Sequence, residues 1–194
     1  MSSYKGYKEI AEKVVNEHRQ VLLDVKEEEI ERFLEEICKA KSIQVYGQGR
    51  MYCSAKAFAM RLMHMGFNAH VVYETTCPNI GKGDLLVANG TCTAVYDVVM
   101  RLAKKAGATV CALTPHPDDH FGQMSDFVVQ LRGQMATGAP DGEIPSIQPM
   151  AALFEQTIFV FEDIIIQMLM ERCNITEAQM QRRHTNLDGY MDLD

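Results

Sequence analysis

Between Tyr4 and Ala40 apolar residues return every three or four positions. Ile10, Val14, Val15, Val21 and Leu22 form one run. Ile30, Phe33, Leu34, Ile37 and Cys38 form a second, with Glu27, Glu28 and Glu29 at its start, where acidic charge suits the helix dipole. This spacing predicts a helical extension over about 4–40. After Lys41 the rhythm changes to short β-branched runs at 43–46, 69–73, 85–88, 109–113 and 127–131, with helical stretches at 51–65 and 93–105. Gly66 and Gly107 stand where helix C-caps are expected. Five buried strands joined by crossovers predict an α/β fold with a doubly wound, parallel, five-stranded sheet over about 42–131.

The stretch 132–148 is rich in Gly and Pro and reads as one long loop. A long helix is predicted from Pro149 to Arg172, Pro being tolerated in a first turn. Thr176-Glu-Ala-Gln179 then has the form of a capping box, and C-terminal helices should fill about 149–186. The whole of 1–194 reads as one domain. The 149–172 helix is apolar nearly all round, through Leu153, Phe154, Ile158, Phe159, Val160, Phe161, Ile164 and Ile165 among others, so it is either central to the fold or covered by another subunit. A homo-oligomer is the expectation.

With 194 residues, 47% of them hydrophobic, the chain can bury a full core, which excludes a disordered protein. The net charge of −7 with no basic block argues against a nucleic-acid partner. The apolar stretch 158–170 is interrupted by Glu162 and Asp163, so no membrane partner is expected. No signal-like apolar segment follows Met1, and the six scattered cysteines form neither a zinc pattern nor a disulfide framework. Both point to the cytoplasm.

Two segments carry candidate chemistry. The first strand ends in Gly47-Gln-Gly49-Arg50 and runs directly into a helix. Glycines there let backbone N–H groups approach an anion, and a helix start adds positive potential. The plain alternative is a tight strand-to-helix turn. After the third strand, Asn89-Gly90-Thr91-Cys92-Thr93 offers amides and hydroxyls at another helix start, with an ordinary Thr cap as its alternative. His116 and His120 flank Pro117-Asp118-Asp119 without further ligands and read as a solvated loop, so no metal site is expected.

Several longer strings resemble the 6-phospho-3-hexuloisomerase branch of the SIS (sugar isomerase) family. They are Gly47-Gln-Gly49-Arg50, Ala57-Phe-Ala-Met-Arg-Leu-Met-His-Met-Gly-Phe67, Glu74-Thr-Thr-Cys-Pro78, Gly81-Lys-Gly-Asp-Leu-Leu86, Ser146-Ile-Gln-Pro-Met150, Leu153-Phe-Glu-Gln156 and Arg183-His-Thr-Asn-Leu187. The resemblance spans residues 5–188. It implies a flavodoxin-like sheet, a homo-oligomer (tetramer or dimer) with sites at subunit interfaces, no metal or organic cofactor, and a small phosphorylated sugar as substrate. The implied reaction interconverts a 3-ketohexose 6-phosphate and fructose 6-phosphate. On the matching positions, the resemblance makes Glu155 the base and gives His184 the movement of protons on sugar oxygens. Glu74 would hold a sugar hydroxyl. Gly47, Gly49, Arg50, Asn89, Gly90, Thr91 and Thr93 would bind the phosphate end. An apolar helix is a setting that makes a carboxylate a better base.

The chain departs from that pattern twice. Met51 stands where the family has Ser or Thr, and Ala88-Asn-Gly-Thr-Cys-Thr93 replaces its Ser-Gly-Ser-Gly-Glu-Thr loop. A remodelled cradle for a different phosphosugar, and a binding protein that has lost the reaction, are therefore the alternatives to the isomerase.

Overall fold

Each of the five strands is short, and the central ones have no exposed face, which is how strands covered by helices on both sides must be built. The computed structural model describes residues 6–91, 94–135 and 142–187. Two helices, α1 (Tyr7–Asp24) and α2 (Glu27–Lys39), precede the sheet. There follow β1 (Ile43–Gly47), α3 (Arg50–Met65), β2 (Ala69–Val71), β3 (Leu85–Asn89), α4 (Ala94–Lys105), β4 (Thr109–Thr114), α5 (His120–Met124) and β5 (Phe127–Gln130). The chain closes on α6 (Ala152–Arg172) and α7 (Glu177–Gln181). All strand pairs are parallel, in the order β2-β1-β3-β4-β5. The predicted doubly wound sheet is thus observed.

Alternation along the strands sorts side chains into two cores. Val45, Val87, Cys111 and Val129 face one side, where Phe33 of α2, Phe58 of α3 and Phe161 of α6 pack together. Tyr46, Leu86, Ala88, Val110 and Ala112 face the other, against Tyr96 and Met100 of α4 and Phe121 of α5. The 2-1-3-4-5 order puts a topological switch between β1 and β3, so the crevice beyond their carboxyl ends is where such a sheet takes a ligand. Gly47 and Asn89 are paired there, in register.

Gly66 (φ 99°) and Gly107 (φ 87°) adopt the left-handed conformation expected after α3 and α4. Thr176 and Gln179 form the capping box. Helix α6 begins three residues later than predicted, because Met150 has a φ of 57° and holds Pro149 outside the helix. The short helix α5 was not foreseen. Its signal is Asp119, whose carboxylate accepts the Gly122 N–H at 2.8 Å. His116 stays in the loop and meets the Glu143 carboxylate at 2.9 Å, and His120, solvent-exposed as expected, opens that helix and pairs with Asp97 at 2.6 Å. The long helix α6 is central to the fold along one face and open along another. Leu153, Phe154, Ile158, Ile165 and Leu169 are buried, yet Phe159, Val160, Ile164 and Met168 form an exposed apolar stripe. No helix among the described residues is long and apolar enough to cross a membrane.

Gly47 has a steric reason for its identity. A Cβ there would lie 2.4 Å from the Met51 carbonyl oxygen, so any side chain forces the first turn of α3 outward. Gly47→Ala is expected to cost about 2 kcal/mol, the middle of the overpacking range, and to lower the Tm by roughly 6 °C. Differential scanning calorimetry checks this.

Candidate active site

The turn from β1 to α3 is held in place by one phenol. Tyr96, buried on α4, accepts the Gln48 N–H at 2.9 Å and donates to the Asn89 carbonyl at 2.5 Å, tying the two glycine loops together. Gly90 is the residue that lets the ring in, since a Cβ there would lie 2.6 Å from the Tyr96 oxygen. Burial pushes the Tyr96 phenol far above its ordinary value, so it remains a donor. Gly49 has φ 57° and ψ −126°, a conformation open to glycine, and it gives α3 no side-chain cap. The helix start is left with its positive end toward the crevice.

Arg50 is the first residue of that helix. Its guanidinium donates to Glu155 Oε2 at 2.8 Å, with the carboxylate largely buried (16% exposed) and the guanidinium largely open (60%). Between α3 and α6 they border a groove of about 300 Å³ with Cys53, Gln156, Phe159 and Val160. Behind Glu155, a chain of polar contacts braces the loop and α6. Gln156 reaches His18 at 3.2 Å and Gln148 at 2.9 Å, and the buried Glu17 accepts from Ser146 Oγ at 2.6 Å and from the Ile147 N–H at 2.9 Å. This accounts for the Ser146–Met150 string: it is held by a carboxylate of α1.

The structure thus brings Gly47, Gly49, Arg50, Asn89, Gly90 and Glu155 to one end of the sheet. Thr91 is half-buried at the same end; Thr93, and Cys92 beside it, lie outside the described residues. Asn89 is fully buried, and its amide points inward, 2.7 Å from Glu162 and 3.4 Å from Ser54. Its side chain supports the loop rather than facing the crevice. The Gly90 N–H is bonded to the Leu113 carbonyl.

Two expected residues stand elsewhere. Glu74 is bound by Lys56 at 2.7 Å and by the Tyr52 hydroxyl at 2.6 Å, and these contacts, Lys56 first, hold its carboxyl below the ordinary range. Tyr52 is two residues, about 200°, around α3 from Arg50, so Glu74 sits on another flank of the helix. His184 lies beside His64, ring centroids 5.1 Å apart, at the opposite end of α3. Burial, aided by the nearby His184 and Arg61, lowers the basicity of His64. Fourteen residues of helix separate Arg50 from His64, a rise of about 21 Å, so one chain does not bring Glu155 and His184 together.

Sequence reasoning missed Glu162. It is 2% exposed on α6, seven residues after Glu155 and so on the same face two turns on. Burial raises its carboxyl to about 8 against the pull of the Asn89 hydrogen bond; Asp163 adds to the rise and Ser54 opposes it. Its signal was an acidic residue in the middle of an otherwise apolar helix. Among the described residues no group of three or more His, Cys, Asp or Glu side chains is placed to hold a metal ion.

Residues 36–160 match the SIS domain. The chain is 34% identical over 182 residues to the 3-hexulose-6-phosphate isomerase of Bacillus subtilis, covering 93% of this chain and 98% of that one. It is 34% identical over 164 residues to the protein of the same name from Mycobacterium gastri, with 83% and 81% covered. A solved Methanococcus jannaschii structure, described as inferring a function of 3-hexulose-6-phosphate isomerase, superposes with a TM-score of 0.80 at 29% identity, over 92% of this chain and 99% of that one.

Proposed function

The chain belongs to the SIS domain family, and from that premise we propose that it is a phosphosugar isomerase interconverting ketose phosphates of the 6-phospho-3-hexulose and fructose 6-phosphate type. The observation that carries the reading is the Glu155 carboxylate, largely buried and set beside the Gly47–Arg50 turn. In the proposed reaction, the phosphate rests at the start of α3, where the helix dipole and the accessible Arg50 guanidinium oppose its charge. Glu155 takes the proton from C2 of the 3-keto sugar, and the electrons left behind form an enediolate, a C2–C3 double bond with the negative charge on the C3 oxygen. A proton passes from the C2 oxygen to the C3 oxygen. Glu155 then returns its proton to C3, leaving the carbonyl at C2.

His184 enters this scheme from a second copy of the chain. Within one chain it stands at the wrong end of α3, and the exposed stripe Phe159, Val160, Ile164 and Met168 runs along α6 from the groove toward that end. Such a stripe suits burial between subunits. Glu155→Gln and His184→Ala should each be nearly inactive alone, and a mixture refolded together should regain activity in hybrid oligomers. Failure to regain any would remove His184 from a shared site.

The phosphate itself is tested by thermal shift. Fructose 6-phosphate at about 100 times its Kd should stabilise the protein by about 2.7 kcal/mol, raising the Tm by roughly 5–10 °C, while fructose gives no shift. The second reading, a phosphosugar-binding protein without turnover or with another specificity, is favoured by Met51 and by the inward-turned Asn89. It predicts the same shift with no conversion of a 3-hexulose 6-phosphate.

A further inference from the structure

We propose that Glu162 is a positioning residue for the ligand cradle: through Asn89 it sets the loop that follows β3, and its charge state decides whether that loop accepts an anion. The ligand part of this inference rests on the phosphosugar reading; the positioning part does not.

Asn89 ends β3 at the switch point, fully buried, with its backbone carbonyl on Tyr96 and its side-chain amide donating to Glu162 Oε1 at 2.7 Å. The residue that begins the loop is therefore fixed from two sides, by the phenol that ties it to Gln48 and by the carboxyl of α6. Ser54, on the second turn of α3, is shared by Asn89 at 3.4 Å and by Glu162. One buried cluster thus joins β3, the start of α3 and α6, the three elements that border the crevice. Within it two buried acceptors, Glu162 Oε2 and Asn89 Oδ1, have no hydrogen-bond partner among the described residues. A proton on the carboxyl supplies a donor that the cluster otherwise lacks.

The charge of Glu162 has little to balance it. On the first turns of α3, Arg50 is held by Glu155, Cys53 lines the groove, and Tyr52 and Lys56 are bonded to Glu74. Helix α1 meets α6 through His18, bonded to Thr157 and Gln156, with Glu17 turned to the 146–148 loop. Helix α2 contributes the Phe33 ring, stacked on Phe161. On α6 itself stand Glu155 and Asp163, both acidic. An ionised Glu162 therefore places an uncompensated negative charge beneath the loop that is to face a phosphate. Neutral, it is a hydrogen-bonding strut; ionised, it repels the ligand and strains the cluster.

Glu162→Gln decides the matter, because the carboxamide keeps the shape and stays neutral at every pH. Amide hydrogen exchange of the segment carrying residues 89–91 is compared between wild type and variant at equal pH, which cancels intrinsic rates. The wild-type to variant ratio should be near one at pH 6 and rise severalfold by pH 9. A ratio unchanged across that range overturns the positioning role without reference to any ligand. The Kd for fructose 6-phosphate should match in the two proteins at pH 6.5, and then weaken in the wild type alone by about fivefold between pH 8 and pH 9. Identical pH dependence in both overturns the role of the charge. Binding by neither protein, with the exchange ratio rising as expected, sinks the phosphosugar reading and leaves the positioning role supported.

Discussion

Glu155→Gln is expected to lower kcat for 3-hexulose 6-phosphate isomerisation by about 10²- to 10⁴-fold, the span general-base groups supply. The amide keeps the size of the side chain and removes the lone pair that takes the proton. Stability should change little. The ion pair that is lost has an exposed guanidinium on one side, and such pairs contribute about 0–1 kcal/mol. KM should move by much less than kcat, because the proposed role is in proton transfer and not in holding the ground state. Arg50→Gln separates the two functions: it leaves the carboxylate in place, removes the guanidinium at the phosphate end, and should raise KM first. If Glu155→Gln raises KM and leaves kcat untouched, the carboxylate orients Arg50 and the base lies elsewhere. Unchanged kcat and KM together would remove the mechanism.

The architecture was legible because it is written in local signals. Strand runs such as Leu85–Ala88 have apolar residues on both faces, which parallel sheets with two helix layers require. Gly66, Gly107 and the Thr176 capping box fix helix ends through φ values and bonds that span only a few residues. Where reading failed, a longer-range contact or a single backbone angle was responsible. Met150 has a positive φ that its side chain does not advertise, and it delays α6 by a turn. His116 meets Glu143 across 27 positions of sequence.

The site divides in the same way. The Gly47–Arg50 turn was recognisable from residue types at fixed spacing. Its joining to Glu155, 105 residues on, was carried by family resemblance and not by any pattern in the chain. The separation of His184 from Glu155 is a property of where α7 packs, at the far end of α3, and nothing in the string Arg183–Leu187 encodes it. Asn89 is expected as a donor to the ligand because it stands, with amides and hydroxyls, at a helix start in the place of the family's phosphate loop. Its actual direction depends on Glu162, 73 residues later and on a different element.

That buried carboxyl should also make stability fall as pH rises. In the unfolded chain a Glu loses its proton near pH 4.5, while in the folded protein Glu162 holds it to about pH 8. Between these values the folded state binds the extra proton, so raising the pH favours unfolding by about 1.4 kcal/mol per unit. The penalty is absent below pH 4.5, reaches about 3 kcal/mol at pH 7 and levels off above pH 8. Glu162→Gln does not titrate. Its stability should equal that of the wild type near pH 4 and exceed it by about 3 kcal/mol at pH 7, a Tm higher by roughly 6–12 °C. Urea unfolding of both proteins across pH 4–8 measures the difference directly. A constant gap at all pH values would mean that the carboxyl is ionised in the folded protein, and Asn89 would then be held by a charge. A gap that opens with pH identifies a residue that weakens the fold under neutral conditions. A carboxyl of α6 that costs this much while holding the Asn89 amide at the end of β3 is the pattern of stability given up for the crevice it supports.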